Sequence, residues 1–383
     1  MNERPQHRIL HVLGRLNPGG VETWLLNLSR AASRSGIKQD FILLSGEHGA
    51  FDEELSSLGA KLHYLPVSAG LLRFSRSFLR CIRQHGPFDI IHSHVHHFTG
   101  WILLLSALAG IPVRVAHSHN EISAQGTAPR RLYLAAMKKL IKRFATGRIA
   151  VSSEAAASLF GPRWARLGVE ILRCGIDFTP IAAASRECNR LKIRERLGLP
   201  HEAAVFGTVG RLAHQKNQGF LIKTFAHIRK SQPNAFLVIV GEGDQRDSLS
   251  ALARHLGIEN SVLLVGSRLD VPDILAGVID VFIMPSLHEG LPLAALEAQA
   301  AGKPCLLSTN ITPEVVFVPP LVRFLSLEDG PERWAQVATT LFSSSTQVSA
   351  AKATDLAGQS QFSIAASLAA LTSYYGKQRI NGE

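Results

Sequence analysis

Short apolar runs alternate with longer segments of helical periodicity along the whole chain. In the first half, the apolar runs predict five β-strands and the segments between them predict amphipathic helices. The predicted strands cover residues 8–13, 41–44, 88–92, 113–116 and 148–151, and the predicted helices cover about 21–34, 51–58, 71–85, 98–109, 129–144 and 153–160. Strands that are connected by helices pair in parallel, so this half is expected to form a parallel sheet covered by helices on both faces.

A second series of the same kind follows in the other half of the chain. Its predicted strands cover residues 204–209, 235–240, 262–265, 280–284 and 304–307, and its predicted helices cover about 217–231, 244–256, 271–277 and 293–301. The segment after about residue 335 is rich in Ala and Ser and is also expected to be helical. The pattern therefore predicts an α/β protein with Rossmann-like domains at 1–180 and 181–360 and a C-terminal segment at 361–383.

Length and composition agree with two domains that each bury a core. The chain has 383 residues, of which 46% are hydrophobic, and this length exceeds the usual size of a single domain. The best apolar run, residues 101–112, is shorter than the ~20 residues that a membrane-spanning helix needs. Because the N-terminus lacks the apolar segment of a signal peptide, the protein is expected to be cytoplasmic. Its scattered cysteines, which are expected to be reduced and mostly buried, are Cys81, Cys174, Cys188 and Cys305.

Positive charge is concentrated in the first half of the chain. Residues 1–180 hold 22 Lys and Arg against 12 Asp and Glu, a net charge of +10, whereas the rest of the chain has a net charge of +1. Two interpretations of the basic helix predicted at 129–144 stay open: a packed helix with a solvated face, and peripheral contact with anionic lipid at the inner face of the cytoplasmic membrane. A nucleic-acid partner is not expected, because no nucleic-acid-binding motif is present. The cations of this helix are Arg130, Arg131, Lys138, Lys139, Lys142 and Arg143.

Residues 285–297 place two carboxylates eight positions apart across a turn and a helix start. Glu289 is expected in the loop after strand 280–284, and Glu297 about one turn into the helix that Pro292 opens. Ligands of open parallel sheets bind at this edge, where helix amides can hold phosphate and a carboxylate can accept hydrogen bonds from hydroxyls. The alternative is a capped surface helix with two solvated glutamates, but the flanking Pro-Ser, Glu-Gly-Leu-Pro and Ala-Gly-Lys-Pro sequences favour a sugar-nucleotide site.

Loops after other predicted strands carry residue types that suit phosphate. Gly19 and Gly20 follow the first strand and open a helix, although their spacing is not that of the dinucleotide fingerprint. Arg211 and Lys216 share the loop after strand 204–209. Two cations at this position can hold a diphosphate and offset the charge of a departing nucleotide.

Together these motifs resemble those of a retaining glycosyltransferase of the GT-B fold, in the large family numbered four. The resemblance is greatest to enzymes of bacterial exopolysaccharide and lipopolysaccharide biosynthesis, and it covers nearly the whole chain. It rests on Gly-Gly-Val-Glu at 19–22, His-Ser-His-Asn at 117–120, Gly-Arg-Leu-x3-Lys-Asn at 210–217, Gly-Glu-Gly at 241–243 and Pro-Ser-x2-Glu-Gly-Leu-Pro-x4-Glu at 285–297. In this family two Rossmann-like domains face each other across a cleft, and the last helix often crosses back onto the N-terminal domain.

The resemblance implies a role for each motif. Arg211 and Lys216 would contact the diphosphate, Glu289 and the loop after it the donor sugar, and Glu297 the ribose. The backbone of the first glycine loop would close on the donor from the other domain. The implied catalytic residues are Glu289, His119, Arg211 and Lys216, and the implied nucleotide-sugar-binding residues are Gly19, Gly20, Arg211, Lys216, Gly241, Arg268, Glu289, Gly290, Leu291, Pro292 and Glu297.

Histidines recur at alternate positions in two places, His92, His94 and His96, and then His117 and His119. Three imidazoles could bind zinc, but no Cys or carboxylate stands at ligand spacing, so no metal site is expected. The resemblance instead implies a histidine after strand 113–116 that contacts the donor sugar or the acceptor, with His119 as the first choice and His117 as the second. One departure from the family is Cys174, where relatives commonly have Asn.

The expected activity is transfer of a sugar from a nucleoside diphosphate sugar, with UDP favoured, to a glycan or lipid-linked saccharide with retention of anomeric configuration. Cationic side chains would stabilise the leaving group, so neither a metal nor another cofactor is expected. The alternatives are a sugar-nucleotide 2-epimerase or a phosphorylase of the same fold, and a nucleotide-sugar-binding protein without catalysis.

Overall fold

The chain divides into two compact units. The first unit contains Met1–Ile176 and Ile364–Glu383, and the second contains Asp177–Ser363. The computed structural model describes residues 7–33, 37–119, 127–187, 190–289, 291–344 and 348–380.

The first unit is built on a seven-stranded parallel sheet. Its strands are β1 (Arg8–Leu13), β2 (Lys38–Leu43), β3 (Leu62–Tyr64), β4 (Ile90–Ser93), β5 (Val113–Ser118), β6 (Gly147–Ala150) and β7 (Glu170–Ile171). They follow the spatial order β3-β2-β1-β4-β5-β6-β7. The order in which successive strands are added therefore reverses between β1 and β4, and in open α/β sheets this switch point is where a crevice forms at the carboxyl edge.

Helices cover both faces of this sheet. They are α1 (Gly20–Ala32), α2 (Asp52–Ser57), α3 (Leu71–His85), α4 (Thr99–Leu108), α5 (Ala128–Phe144) and α6 (Ser153–Phe160). Because successive side chains of a strand point to opposite faces, β1 serves two cores. Ile9 and Leu13 pack in the core that includes α1, and Leu10 and Val12 pack in the core that includes α3 and α4.

The second unit repeats this plan with six parallel strands. They are β8 (Val205–Val209), β9 (Phe236–Val240), β10 (Val262–Gly266), β11 (Val281–Met284), β12 (Cys305–Ser308) and β13 (Val322–Leu325). The spatial order is β10-β9-β8-β11-β12-β13, so the switch point lies between β8 and β11.

The helices of the second unit surround a core formed by all the central strands. They are α7 (Thr179–Glu187), α8 (Arg190–Arg196), α9 (Gln218–Ser231), α10 (Arg246–His255), α11 (Val271–Asp273), α12 (Leu293–Ala300), α13 (Gly330–Ser343) and α14 (Ala350–Gln359). The segment predicted as a helix at 271–277 is only briefly α-helical and continues as a π-helix over Ile274–Val278. Trp334 of α13 is fully buried in the core against α9.

The last helix, α15 (Ile364–Ile380), belongs to the first unit. Its Ser367 hydroxyl accepts a hydrogen bond of 3.0 Å from the indole N–H of Trp24 in α1. The hydroxyl of Tyr374 accepts one of 2.6 Å from the backbone N–H of Arg148. Both tyrosines of the predicted Tyr374-Tyr375 anchor are buried, so α15 completes the core on the α1 face of the first sheet.

The predicted fold class is confirmed, since both halves are parallel sheets covered by helices. All ten predicted strands are present, and β3, β7 and β13 are additional. The first two of these contain three and two residues, which is too short to give a clear periodic signal. The described helices include none whose length and apolar character would suffice to cross a bilayer.

Candidate functional site

An ion pair joins the two loops at the switch point of the second unit. Lys216 lies in the loop after β8 and Glu289 in the loop after β11. The Nζ atom of Lys216 lies 2.6 Å from Oε1 of Glu289, and only 8% of the Glu289 side chain is exposed. The two residues are 73 positions apart in sequence, and parallel pairing of β8 with β11 brings them together.

Backbone and amide contacts hold the same two loops in register. The backbone N–H of Leu287 donates to the carbonyl of Gln215 at 2.8 Å, and the Gln215 side-chain amide donates to the carbonyl of His288 at 2.9 Å. The Asn217 side chain donates to the carbonyl of Pro285 at 3.1 Å. Asn217 has a φ of +54°, a conformation that asparagine tolerates better than most residues. The loops that carry Lys216 and Glu289 are therefore joined by contacts other than the ion pair itself.

Arg211 provides an uncompensated positive charge on the loop after β8. Its side chain is exposed, and among the described residues no carboxylate forms an ion pair with it. Its backbone carbonyl accepts a hydrogen bond of 2.9 Å from the side chain of Gln218 at the start of α9. The loop is thus anchored through its backbone, while the guanidinium remains available for an anion.

The glycines of the 241–243 motif allow the loops after β8 and β9 to touch. A Cβ atom on Gly241 would lie 2.1 Å from the carbonyl oxygen of Gly210, and one on Gly243 would lie 2.2 Å from that of Leu212. Gly241 also has a φ of +135°, which L side chains rarely adopt. The structure therefore gives Gly241 a packing role in the loop that carries Arg211, and ligand contact by Gly241 stays a prediction.

Arg268 lies in the loop after β10 and is already paired. Its guanidinium donates two hydrogen bonds to Asp270, from Nε to Oδ1 at 2.8 Å and from Nη2 to Oδ2 at 2.7 Å. Arg196 donates to the same carboxylate at 2.8 Å. The bonds from Arg268 lower the pKa of Asp270 and raise that of Arg268. A contact between Arg268 and a nucleotide would have to form beside this pair or replace it.

Glu297 lies on the second turn of α12, which begins after Pro292. It is partly buried, and burial raises the pKa of its carboxyl to about 7. The first backbone N–H groups of a helix have no partner within the helix, so the start of α12 offers amides next to Leu291. Gly290 lies outside the described residues.

The sequence predicted Arg211, Lys216 and Glu289 but missed the groups that position them. Gln215 was missed because its partner, the carbonyl of His288, lies on another loop. Asp270 was missed because its partner Arg268 was expected to contact a ligand. Ser286 was also missed. It is fully buried and its hydroxyl has no hydrogen-bond partner among the described residues.

In the first unit, the predicted glycine loop opens a helix as expected. Gly19 is the N-cap residue of α1 and Gly20 is its first residue. A Cβ atom on Gly20 would meet nothing within 4 Å, so the space beside this helix start is open. Contact of Gly19 and Gly20 with a ligand stays a prediction.

Five histidines of the first unit form one buried cluster at its switch point. His11 and His92 are paired in register on β1 and β4, and His94, His117 and His119 lie at the carboxyl ends of β4 and β5. Burial lowers the pKa of His11 and that of His119 to about 3. Burial and neighbouring imidazoles lower the pKa values of the other three well below the usual value. All five are therefore neutral at neutral pH.

The structure changes the membership of the histidine group. His96 does not belong to the cluster, because its Nδ1 lies 2.6 Å from Nδ1 of His97. His11 does belong to the cluster. His117 is fully buried and His119 is only partly buried, so His119 is the more accessible of the two. The sulfur of Cys174 lies 3.6 Å from Nδ1 of His119. A cysteine thus stands beside the cluster in space, although the spacing of the sequence gave no sign of it.

The basic helix α5 buries one stripe and exposes its charge. Leu134, Met137 and Ile141 are buried, and five of the six predicted cations are exposed while Lys138 is half-buried. Leu132 and Tyr133 are exposed beside them, at 74% and 43%. A hollow of about 180 Å³ next to this surface is lined by residues that include Lys138, Lys142 and Arg148.

Comparison with known proteins assigns the chain to a family. The model of the "Glycosyl transferase 4-like domain" matches residues 19–175, and that of "Glycosyl transferases group 1" matches residues 189–348. EpsF of Bacillus subtilis, which carries the name of a glycosyltransferase, is 36% identical over 335 residues, or 86% of each chain. The UDP-Gal:alpha-D-GlcNAc-diphosphoundecaprenol alpha-1,3-galactosyltransferase of Escherichia coli is 32% identical over 284 residues, or 70% of this chain and 71% of its own.

Solved structures show the same fold. The crystal structure of Anabaena HepE in complex with UDP matches with a TM-score of 0.77 and 21% identity, and the match covers 97% of this chain and 100% of that one. WaaG, described as a glycosyltransferase involved in lipopolysaccharide biosynthesis, matches with a TM-score of 0.69 and 17% identity over 95% of this chain and 99% of its own. The fold is GT-B.

Proposed function

The chain belongs to the group 1 glycosyltransferases, and we propose that it transfers a sugar from a UDP-sugar to a glycan or lipid-linked saccharide in cell-surface polysaccharide synthesis. The proposal includes retention of the anomeric configuration. Its main support is the fixed Lys216–Glu289 pair next to the unpaired Arg211 at the switch point of the second unit.

The charges at this switch point suit a sugar diphosphate. Arg211 and Lys216 bring two positive charges to one loop, and Glu289 compensates only one of them. Oε1 of Glu289 is held by Lys216, which leaves Oε2 to accept hydrogen bonds from sugar hydroxyls. In the proposed reaction the bond between the anomeric carbon and the diphosphate breaks, the acceptor oxygen bonds to that carbon from the same face, and the acceptor proton passes to the departing phosphate oxygen. The two cations stabilise the negative charge that develops on the leaving group.

Two further roles follow from the same assignment. We propose that Glu297 binds the ribose hydroxyls and that the amides at the start of α12 receive negative charge. His119 of the first unit would contact the donor sugar. These roles rest on the family resemblance and on accessibility, since His119 is more exposed than His117.

The choice of UDP is supported by relatives. HepE was solved in complex with UDP and with UDP-glucose. The name of the Escherichia coli relative gives UDP-Gal as the donor and a diphosphoundecaprenol-linked sugar as the acceptor. An acceptor carried on a membrane lipid would explain why residues 1–180 have a net charge of +10. We therefore also propose that the exposed cations of α5 bind anionic headgroups while Leu132 and Tyr133 enter the interface.

The activity is tested by incubating the full chain with UDP-, GDP- and ADP-sugars, with and without lipid extract from polysaccharide-producing bacteria, and measuring nucleotide release. We expect release from a UDP-sugar that depends on the extract, and a labelled product whose anomeric configuration matches that of the donor. Absence of extract-dependent release from every donor would contradict the proposal if each donor's nucleotide is also shown not to bind.

The same assay separates the alternatives. A 2-epimerase would convert the donor without an acceptor, either to the sugar nucleotide epimerised at C2 or, with water, to the free epimeric sugar and UDP, and a phosphorylase would require inorganic phosphate. A binding protein would bind UDP but release none from any sugar. The Glu289→Gln variant is the control for contaminating enzymes, because a copurified transferase would be unaffected by it.

A further inference from the structure

The five histidines at the switch point of the first unit are not explained by the proposed transfer, which uses only His119. Three of them, His94, His117 and His119, place one ligand nitrogen each within 4.8 Å of the others. The rings of His117 and His119 lie 3.9 Å apart between centroids, and each is within 5.5 Å of the ring of His94. Trp24 of α1 covers this group, with its ring 5.5 to 6.0 Å from the three imidazoles.

Hydrogen bonds satisfy only part of the cluster. Nδ1 of His94 lies 2.9 Å from Nε2 of His119, and Nε2 of His92 lies 3.0 Å from Nδ1 of His117. The Nε2 atoms of His11 and His117 are buried and have no hydrogen-bond partner among the described residues. A buried polar atom without a partner destabilises a protein, because it has lost its hydrogen bond to water. Nε2 of His117 is therefore the atom through which this residue would bind a metal ion together with His94 and His119.

We propose that His94, His117 and His119 bind a zinc ion, with the thiolate of Cys174 as a fourth ligand. Neutral imidazoles are the nitrogen donors that zinc prefers, and three of them with one sulfur make the tetrahedral set that it adopts. Ligand nitrogens around zinc are about 3.3 Å apart, given zinc–nitrogen distances of about 2.0–2.1 Å. The ligand nitrogens of the three histidines lie within 4.8 Å of one another and the sulfur of Cys174 lies 3.6 Å from Nδ1 of His119, so binding requires these side chains to close in on the ion. The Cys174 thiol loses its proton to solvent when its sulfur binds, and the thiolate offsets one unit of the ion's charge.

The position of the group suits entry of an ion. His94, His119 and Cys174 are partly exposed, whereas His117 is fully buried. A zinc ion can therefore enter from the carboxyl edge of the sheet and displace the His94–His119 hydrogen bond. A second group, His63, Cys81 and His85, also has ligand atoms within 4.8 Å of one another. Asp40 lies near it as well as Arg8 and Lys61, and Asp40 is already paired with Arg8, so His85 serves as the control for binding at this second group.

A bound zinc ion would also withdraw His119 from the donor sugar. This consequence rests on the proposed function, whereas binding of the ion does not. We expect added zinc to inhibit transfer by the wild-type protein, and to inhibit the His94→Ala variant much less at the same zinc concentration. Inhibition is scored as the ratio of activities with and without zinc, so the basal rate of each variant does not enter.

The binding test uses the full chain after chelation and dialysis, without donor or acceptor. Zinc is titrated by calorimetry, and cobalt is titrated as an absorbing substitute. We expect one tightly bound ion per chain and tetrahedral cobalt absorption with a sulfur-to-metal charge-transfer band. The variant His94→Ala with His117→Ala should weaken zinc binding at least ~100-fold, and His85→Ala should not change it. Melting curves of each variant verify folding.

Cys174→Ser supplies a test that keeps every histidine. It should abolish the charge-transfer band and weaken binding while cobalt still binds. The proposal is overturned if the wild-type chain binds zinc no more tightly than the double histidine variant, or if His85→Ala removes the binding. It is also overturned if the cobalt complex of Cys174→Ser is identical to that of the wild type, since the thiolate would then be no ligand.

Discussion

The two switch points of this protein carry polar clusters of opposite character. In the second unit the side chains are charged and paired, between two loops in Lys216 with Glu289 and within one loop in Arg268 with Asp270, while Arg211 forms no ion pair with any described residue. In the first unit the side chains are neutral imidazoles that are buried or half-buried beside Trp24. The switch point of the second unit thus has charged side chains that suit an anion, and the switch point of the first unit has a group of ring nitrogens that suits a cation. The difference arises because charged groups remain near water, whereas neutral imidazoles can be buried.

Replacement of the central carboxylate gives the largest expected effect. Glu289→Gln should lower kcat at least ~100-fold, because the amide can neither balance Lys216 nor accept hydrogen bonds from the sugar as strongly. The measurement is nucleotide release at saturating donor. Glu259→Gln, an exposed substitution before β10, is the matched control and should retain its turnover. Equal turnover of the two variants would exclude Glu289 from the site.

The two cations of the loop after β8 should separate stability from binding. Lys216→Gln leaves Glu289 partly buried without its partner and should destabilise the second unit by about 1–3 kcal/mol. Arg211→Gln should leave stability unchanged, because the guanidinium is exposed and unpaired. Both should weaken UDP binding about 10-fold or more. Amide hydrogen exchange in β8 and β11 measures stability and calorimetry measures UDP affinity. Equal stability of the two variants would show that the ion pair does not hold the loops.

The raised pKa of Glu297 gives the second unit a pH dependence. The folded carboxyl keeps its proton up to about pH 7, whereas the usual pKa of a glutamate is 4.5, so stability is lost as the pH rises between these two values. Glu297→Gln should remove this loss and stabilise the unit at pH 8 by on the order of 2 kcal/mol. At pH 4 the two proteins should be equal. Exchange in β11 and β12 at both pH values tests this, and a variant no more stable at pH 8 would contradict the burial cost.

The smallest expected effect concerns the basic surface of the first unit. Lys139→Gln with Lys142→Gln should weaken binding to vesicles that contain anionic lipid about 10- to 30-fold, at about 1 kcal/mol per cation. The matched control, Lys223→Gln with Lys230→Gln, removes two exposed cations from α9 of the second unit. Cosedimentation at low salt measures both. An equal loss in the control would mean that net charge, and not α5, governs the attraction.

The fold was predictable because its signal is local. Each central strand is a short apolar run bounded by a turn, and each amphipathic helix repeats its apolar residues with a helical period, so neither requires knowledge of distant residues. The edge strands β3 and β7 were missed because runs of three and two residues carry no period. The segment that ends in the π-helix Ile274–Val278 was predicted to be an ordinary α-helix. The reason is related, because over so few residues the apolar spacing does not distinguish the two kinds of helix.

The candidate site was predictable only as separate pieces. Arg211, Lys216 and Glu289 could be placed at carboxyl ends of strands because loops follow strands in a known direction. That Lys216 pairs with Glu289 while Arg211 remains unpaired could not be read from the sequence. Nor could the pairing of Arg268 with Asp270, since a nearby arginine and aspartate in a loop do not reveal whether they bind each other or a ligand.

The sequence by itself determined the elements, the two parallel sheets and the residue types at their carboxyl edges, because hydrophobic periodicity and turn residues act over a few positions. Tertiary structure decided which of those residues meet. Strand order set β1 beside β4 and β8 beside β11, and this joined His11 to His92 and Lys216 to Glu289 across tens of residues. Such contacts depend on the packing of whole sheets, for which local spacing carries no information.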